Sequence, residues 1–205
     1  MKKADKVYRA FVETAKYLIK ELDYYGVKQF KQKESEQGWS IGQVYDHLIF
    51  GTQNYHIREI QNCLNKTKGS EKGGKTFKGR VFFMLGSFPP AKFKGKDAEG
   101  YQPGQPSNTV NVKDNLYRFV KVMNQVAREI DAAGEEGLKY KTMNPSLGML
   151  NALEWYKLIE MHFRHHLKQK QRLDKIVRSY MRESLESQRA AALPGGKDDF
   201  DPDLL

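Results

Sequence analysis

From residue 149 to about residue 184 the chain runs without a single proline or glycine, and no other feature restricts the fold as strongly. A stretch of that length with apolar residues three to four apart is a helix, longer than most in globular proteins. At ~100° per residue, Leu158, Leu173 and Ile176 fall with Trp155 inside a sector of roughly 80°, a stripe that reads as core-facing. His162, His166 and Gln169 occupy the same sector and interrupt it.

Three more segments carry helical periodicity. Between residues 3 and 30, Val7, Phe11, Ala15, Leu18 and Leu22 recur at the spacing of an amphipathic helix, with Gly26 weakening its end. A second helix is marked at Ser40, an N-cap with Gln43 three residues on, followed by the apolar stripe Ile41, Val44, Leu48 and Tyr55. The third, about residues 112–133, carries Leu116, Phe119, Val120, Met123 and Ile130 before Gly134 and Gly137 break it. The turn-rich run Asn144-Pro145-Ser146-Leu147-Gly148 then leads into the long last helix. A chain of 205 residues with 39% hydrophobic content buries one sizeable core. Residues 1–185 are therefore expected to form a single all-α domain, a four-helix bundle. Residues 186–205, with Pro194, Gly195, Gly196 and an acidic end, read as a disordered tail.

The formal net charge of +10 is concentrated rather than spread. Residues 66–96 hold nine basic side chains against the single acid Glu71, a local charge of +8. Gly69, Gly73, Gly74, Gly79, Gly86 and Gly95 with Pro89 and Pro90 exclude one continuous helix there. A long glycine-rich basic loop, residues 66–110, is thus expected between the second and third helices, either simply solvated or holding phosphate or another anion. No apolar run is long enough to cross a bilayer and the start lacks the core of a signal peptide, so a cytoplasmic protein with no membrane contact is expected. The lone Cys63 has no internal disulfide partner and reads as a packing residue.

The histidines set the chemistry. His162 and His166, four apart, stand on one helical face and can share one metal ion, which also satisfies ring nitrogens that a core would otherwise leave unpaired. His47, on the flank of the second helix's stripe with Val44, Gly51 and Asn54 on its side, can supply a third imidazole. His165 points about 100° away from His166 and is expected beside that site or at the surface. His56 lies about 180° from His47 on an α-helix and is expected at the surface. Phe163 and Arg164 follow His162, so the HExxH pattern of zinc peptidases is absent. Zinc, nickel, copper and iron all accept imidazole, so donor type alone leaves the metal open.

Two blocks of sequence carry a family likeness. The first is Gly38-Trp39-Ser40-Ile41-Gly42-Gln43-Val44-Tyr45-Asp46-His47-Leu48; the second joins Asn144-Pro145-Ser146-Leu147-Gly148-Met149-Leu150, Glu154-Trp155, and His162-Phe163-Arg164-His165-His166-Leu167-Lys168-Gln169. Together they resemble the DinB/YfiT-like superfamily of metal-binding four-helix bundles, over about residues 5 to 180. The resemblance implies that His47, His162 and His166 are ligands of a divalent metal, usually zinc or nickel. It also implies a homodimer. Members of known activity include thiol-dependent transferases and isomerases using low-molecular-weight thiols, beside others regarded as hydrolases. The basic insertion departs from that pattern.

Two function classes follow. In the first, a metal-dependent enzyme activates a thiol or water for transfer to, or hydrolysis of, a small-molecule substrate, an anionic one if the basic loop helps hold it. In the second, a non-catalytic module contacts nucleic acid through residues 66–96, where Phe77, Phe82, Phe83, Phe88 and Phe93 interleave with the lysines and can stack on single strands. Phenylalanines in a loop covering a bundle more often pack inward, and no recognised nucleic-acid motif is present, so the first class is favoured.

Overall fold

Four long helical rods, as expected, enclose the core, and a small hairpin is added to them. The structure, a computed structural model, describes residues 2–33, 35–36, 38–88 and 103–192. Helix α1 (Lys3–Glu21) buries Phe11, Ala15 and Leu18 on one face. It does not continue to residue 30: a 3-10 turn (Leu22–Tyr24) intervenes, and Gly26 caps a separate α2 (Val27–Lys31), its N–H donating to Gln29 Oε1 at 2.6 Å.

The second rod begins where the capping box places it. Gln43 N–H donates to Ser40 Oγ and Ser40 N–H to Gln43 Oε1, both at 3.1 Å, satisfying two of the amides that a helix start leaves unpaired. The rod opens as α3 (Ile41–Asp46), widens into π-helical turns over His47–Gly51 and Gln53–Ile57, and closes as α4 (Arg58–Leu64). Such π segments are rare and frequent at functional sites.

The basic connection is more ordered than a breaker-rich sequence suggests. Thr76 caps a helix α5 (Phe77–Leu85), its Oγ1 accepting from Gly79 N–H at 3.0 Å, and Gly86 ends it in the left-handed region at φ 60°. Gly79 does not break this helix. It lets the backbone approach Leu147 so closely that a Cβ would overlap that residue's carbonyl oxygen. Phe82 is buried and Phe83 and Phe88 are half-buried against it, whereas Phe77 is exposed. Lys92, Phe93, Lys94 and Lys96 lie outside the described residues.

Helix α6 (Thr109–Gly137) is capped by Asn108, whose Oδ1 accepts from Asn111 N–H at 2.9 Å, and is kinked at Gly134. The run 144–148 is not simply an approach to a helix. It is the turn of a hairpin in which β1 (Lys141–Asn144) pairs antiparallel with β2 (Gly148–Asn151), Asn144 opposite Gly148. Asn144 Oδ1 accepts from the amides of Ser146 and Leu147 at 3.0 Å each, the local bond that favours Asn in turns. The last helix, α7 (Ala152–Ala192), therefore starts later than expected and runs through residues 186–192 of the expected tail; residues 193–205 lie outside the described residues.

The rods meet through aromatic residues. Phe11 of α1, Phe119 of α6 and Phe163 of α7 pack with ring centroids 5.0 to 5.8 Å apart, each worth about 2–3 kcal/mol of burial. Buried hydroxyls tie the layers: Tyr45 donates to Leu18 O and Tyr156 to Met123 O, each at 2.8 Å. Trp155 Nε1–H donates to Thr142 Oγ1 at 2.8 Å, anchoring the hairpin beneath α7. No helix among the described residues is long and apolar enough to cross a membrane.

Candidate metal centre

His47, His162 and His166 converge. Their ligand atoms all lie within 4.8 Å of one another, His47 on the first π-helical turn and the other two one turn apart on α7. His162 Nε2 stands 3.0 Å from His47 Nε2 and 2.9 Å from His166 Nε2. Two nitrogens bound to one ion at roughly 2.1 Å each stand about 3.0 to 3.4 Å apart, for angles between right and tetrahedral. Both spacings to His162 fit nitrogens that share one ion.

Protonation points the same way. His166 Nδ1–H donates to Gln169 Oε1 at 2.7 Å, since an amide oxygen only accepts, and this leaves His166 Nε2 with its lone pair toward the cluster. Burial, with the neighbouring His47 adding to it, pushes His166 down to about 3 despite the opposing Gln169 bond. Burial also drives His162 well below the ordinary imidazole value, reinforced by His166 and His47. His162 and His166 are therefore neutral at neutral pH, the form in which imidazole ligates. One hydrogen on His162 Nε2 can satisfy only one of its two nitrogen neighbours, whereas a shared cation satisfies all three lone pairs.

Two further imidazoles sit close by. His165 is half-buried beside the cluster, its ring 5.4 Å from that of His166 and 4.9 Å from Phe88. His56 is not at the surface. Its ring lies 5.6 Å from that of His162 at an interplanar angle of 29°, its Nδ1 is buried without a hydrogen-bond partner, and burial pushes it down to about 3. The π-helical winding accounts for the correction: nine residues at about 100° each would carry His56 opposite His47, but a π turn advances by only roughly 80° per residue. Two such turns in succession swing His56 back toward α7.

Aromatic residues frame the centre from outside the rods. Trp39, just before the Ser40 cap, lies 4.8 Å from His47 and parallel to His166 at 12°. Phe88, just past α5, lies 6.0 Å from His162. Phe88 is not legible as a neighbour of the histidines in the sequence, where the glycines of α5 hide the helix that leads to it. No Asp, Glu or Cys joins the three imidazoles among the described residues.

A helical bundle whose facing rods gather three imidazoles defines a class, the bundle proteins with a candidate divalent-metal site between helices. The chain belongs to the DinB superfamily, whose family model matches residues 10–169. Among solved structures it is similar to YfiT from Bacillus subtilis, with a TM-score of 0.57 and 15% identity over 84% of this chain and 86% of that one. That protein is described as a probable metal-dependent hydrolase with an unusual four-helix bundle topology. At this identity the likeness concerns the fold. Comparison with curated proteins gives no match.

Proposed function

We propose that the chain is a metal-dependent enzyme acting on a small molecule, with His47, His162 and His166 holding a divalent ion, zinc or nickel. The convergence of three Nε2 atoms carries this reading. Held by three neutral imidazoles, a divalent ion keeps its charge and an open position, which supplies Lewis-acid activation of water or a thiol. Hydrolysis and thiol transfer are the reactions this chemistry serves, and the description of YfiT supports the first.

The chain's own side chains orient and shield. Gln169 fixes the His166 ring and its tautomer, as a carboxylate or carbonyl does behind many ligating histidines. Trp39 and Phe88 flank the imidazoles and limit the access of bulk water. Elemental analysis of untagged protein tests the reading directly. One divalent ion per chain is expected in the wild type and none in His162→Ala. A variant as metal-replete as the wild type, or a zinc-loaded protein inert toward both thiol acceptors and hydrolysable esters, amides and epoxides, would defeat it.

A further inference from the structure

His56 is carried to the centre by a winding that helices seldom adopt. The second π-helical segment, Gln53–Ile57, places its ring against that of His162, with centroids 5.6 Å apart and an interplanar angle of 29°. Tyr55 and Trp155 meet the same ring at steep angles, 5.3 and 5.7 Å away. Turns of this type are rare and recur at functional sites. His47 lies on the first segment and His162 and His166 on α7, so the second segment adds His56 to the group.

The hydrogen-bond partners indicate what His56 supplies. His162 Nε2 faces the corresponding atoms of His47 and His166 at 3.0 and 2.9 Å. A neutral imidazole that ligates through Nε2 carries its hydrogen on Nδ1, and ligating histidines almost always donate that hydrogen to an outer acceptor. His166 has such an acceptor in Gln169. His162 Nδ1 is buried without a hydrogen-bond partner, and so is His56 Nδ1. One of these nitrogens needs an acceptor, and the other offers a lone pair once the His56 hydrogen stands on Nε2. Of the other rings beside His162 among the described residues, His47 and His166 share its cluster and Phe88 has no acceptor. No direct bond joins His56 to His162, and one water can span rings at this separation.

We propose that His56 is a positioning residue of the metal centre, taking the Nδ1 hydrogen of His162 through one bridging water and so fixing the ring and tautomer of that ligand. The two ligands on α7 then have separate outer acceptors, Gln169 for His166 and His56 for His162. The assignment rests on the metal reading above, and the test separates the two.

Zinc affinity is measured by chelator competition for the wild type, His56→Phe and His56→Asn, beside NMR of the histidine side chains in the zinc-loaded proteins. Phenylalanine keeps a flat ring against His162 but has no acceptor. Asparagine loses the ring and keeps an amide oxygen near the place of Nδ1. Affinity is expected to fall roughly 10- to 100-fold in His56→Phe, and His56→Asn should recover most of that loss. Packing alone predicts the reverse order, since asparagine leaves the larger void. In the wild type the His162 ring should carry its hydrogen on Nδ1, at a downfield proton shift that moves upfield in His56→Phe. A wild-type protein that takes up no zinc overturns the metal reading and this one with it. Three results on zinc-loaded protein overturn the His56 assignment alone: a wild-type His162 hydrogen that is not on Nδ1, an Nδ1 proton unmoved by His56→Phe, or a His56→Phe affinity no lower than that of His56→Asn.

Discussion

Gln169 accepts the Nδ1 hydrogen of His166 at 2.7 Å, and the opposite nitrogen of that ring faces His162 Nε2 at 2.9 Å. One turn of α7 therefore supplies both an imidazole and the group that sets its tautomer. Replacing Gln169 by Leu removes the acceptor and lets the ring rotate or present its N–H to the cluster. Metal affinity, measured by competition with a chelator, is expected to fall roughly 10- to 100-fold, while the urea midpoint of the metal-free protein changes little. Unchanged affinity would mean that the Gln169 bond does not orient His166.

Acid should weaken the metal-free protein before it titrates the folded imidazoles. His56 and His166 are both pushed down to about 3 by burial, against about 6.5 in an unfolded chain. Between those values the unfolded state binds more protons than the folded one, so stability is full above pH ~6.5 and is lost as pH falls toward ~3. Each such imidazole contributes a slope of up to about 1.4 kcal/mol per pH unit in that window. Urea midpoints followed from pH 7 to pH 4 should fall steadily, and less steeply in His56→Phe. A flat profile across the window contradicts the burial of these rings.

How far the site could be read in the sequence depended on helix type. The Ser40–Gln43 capping box and the spacing of His162 and His166 follow from local chemistry and α-helical geometry, and both hold in the fold. His56 was misplaced because its position was projected with α-helical winding, and nothing in Gln53-Asn54-Tyr55-His56 announces π turns. The hairpin was hidden for another reason. Strands of four residues are too short for alternation to stand out, and Met149-Leu150-Asn151 reads equally well as the start of the helix that follows. Glycine misled at α5, where Gly79 serves a close approach to Leu147 rather than a turn.

Lys170 offers a test of the bundle away from the centre. Its side chain is fully buried, paired with Glu21 and, at 2.9 Å, with Asp174, and it lies over the rings of Tyr17 and Tyr25. Lys170→Met leaves two carboxylates facing each other with no cation between them, which should cost roughly 3 kcal/mol. Adding Glu21→Gln and Asp174→Asn should recover a large part of that loss. A Lys170→Met protein melting within a degree of the wild type would show that the pairing carries no stability.

Gly79→Ala joins the architecture to the centre. On helix propensity alone the change would stabilise an exposed helix by about 1 kcal/mol, but the new Cβ would overlap the carbonyl oxygen of Leu147. That oxygen already accepts the Thr76 amide at 2.9 Å, and Thr76 caps α5, so the hairpin cannot yield without loosening the helix start. The expected result is a net loss of about 1–3 kcal/mol, the cost of overpacking. Because α5 leads to Gly86 and Phe88, the displacement should also reach the centre. Hydrogen exchange should quicken at residues 79–88 with little change in α1 or α6. A variant at least as stable as the wild type, with protection in α5 intact, would show that α5 does not rest on the hairpin through this glycine.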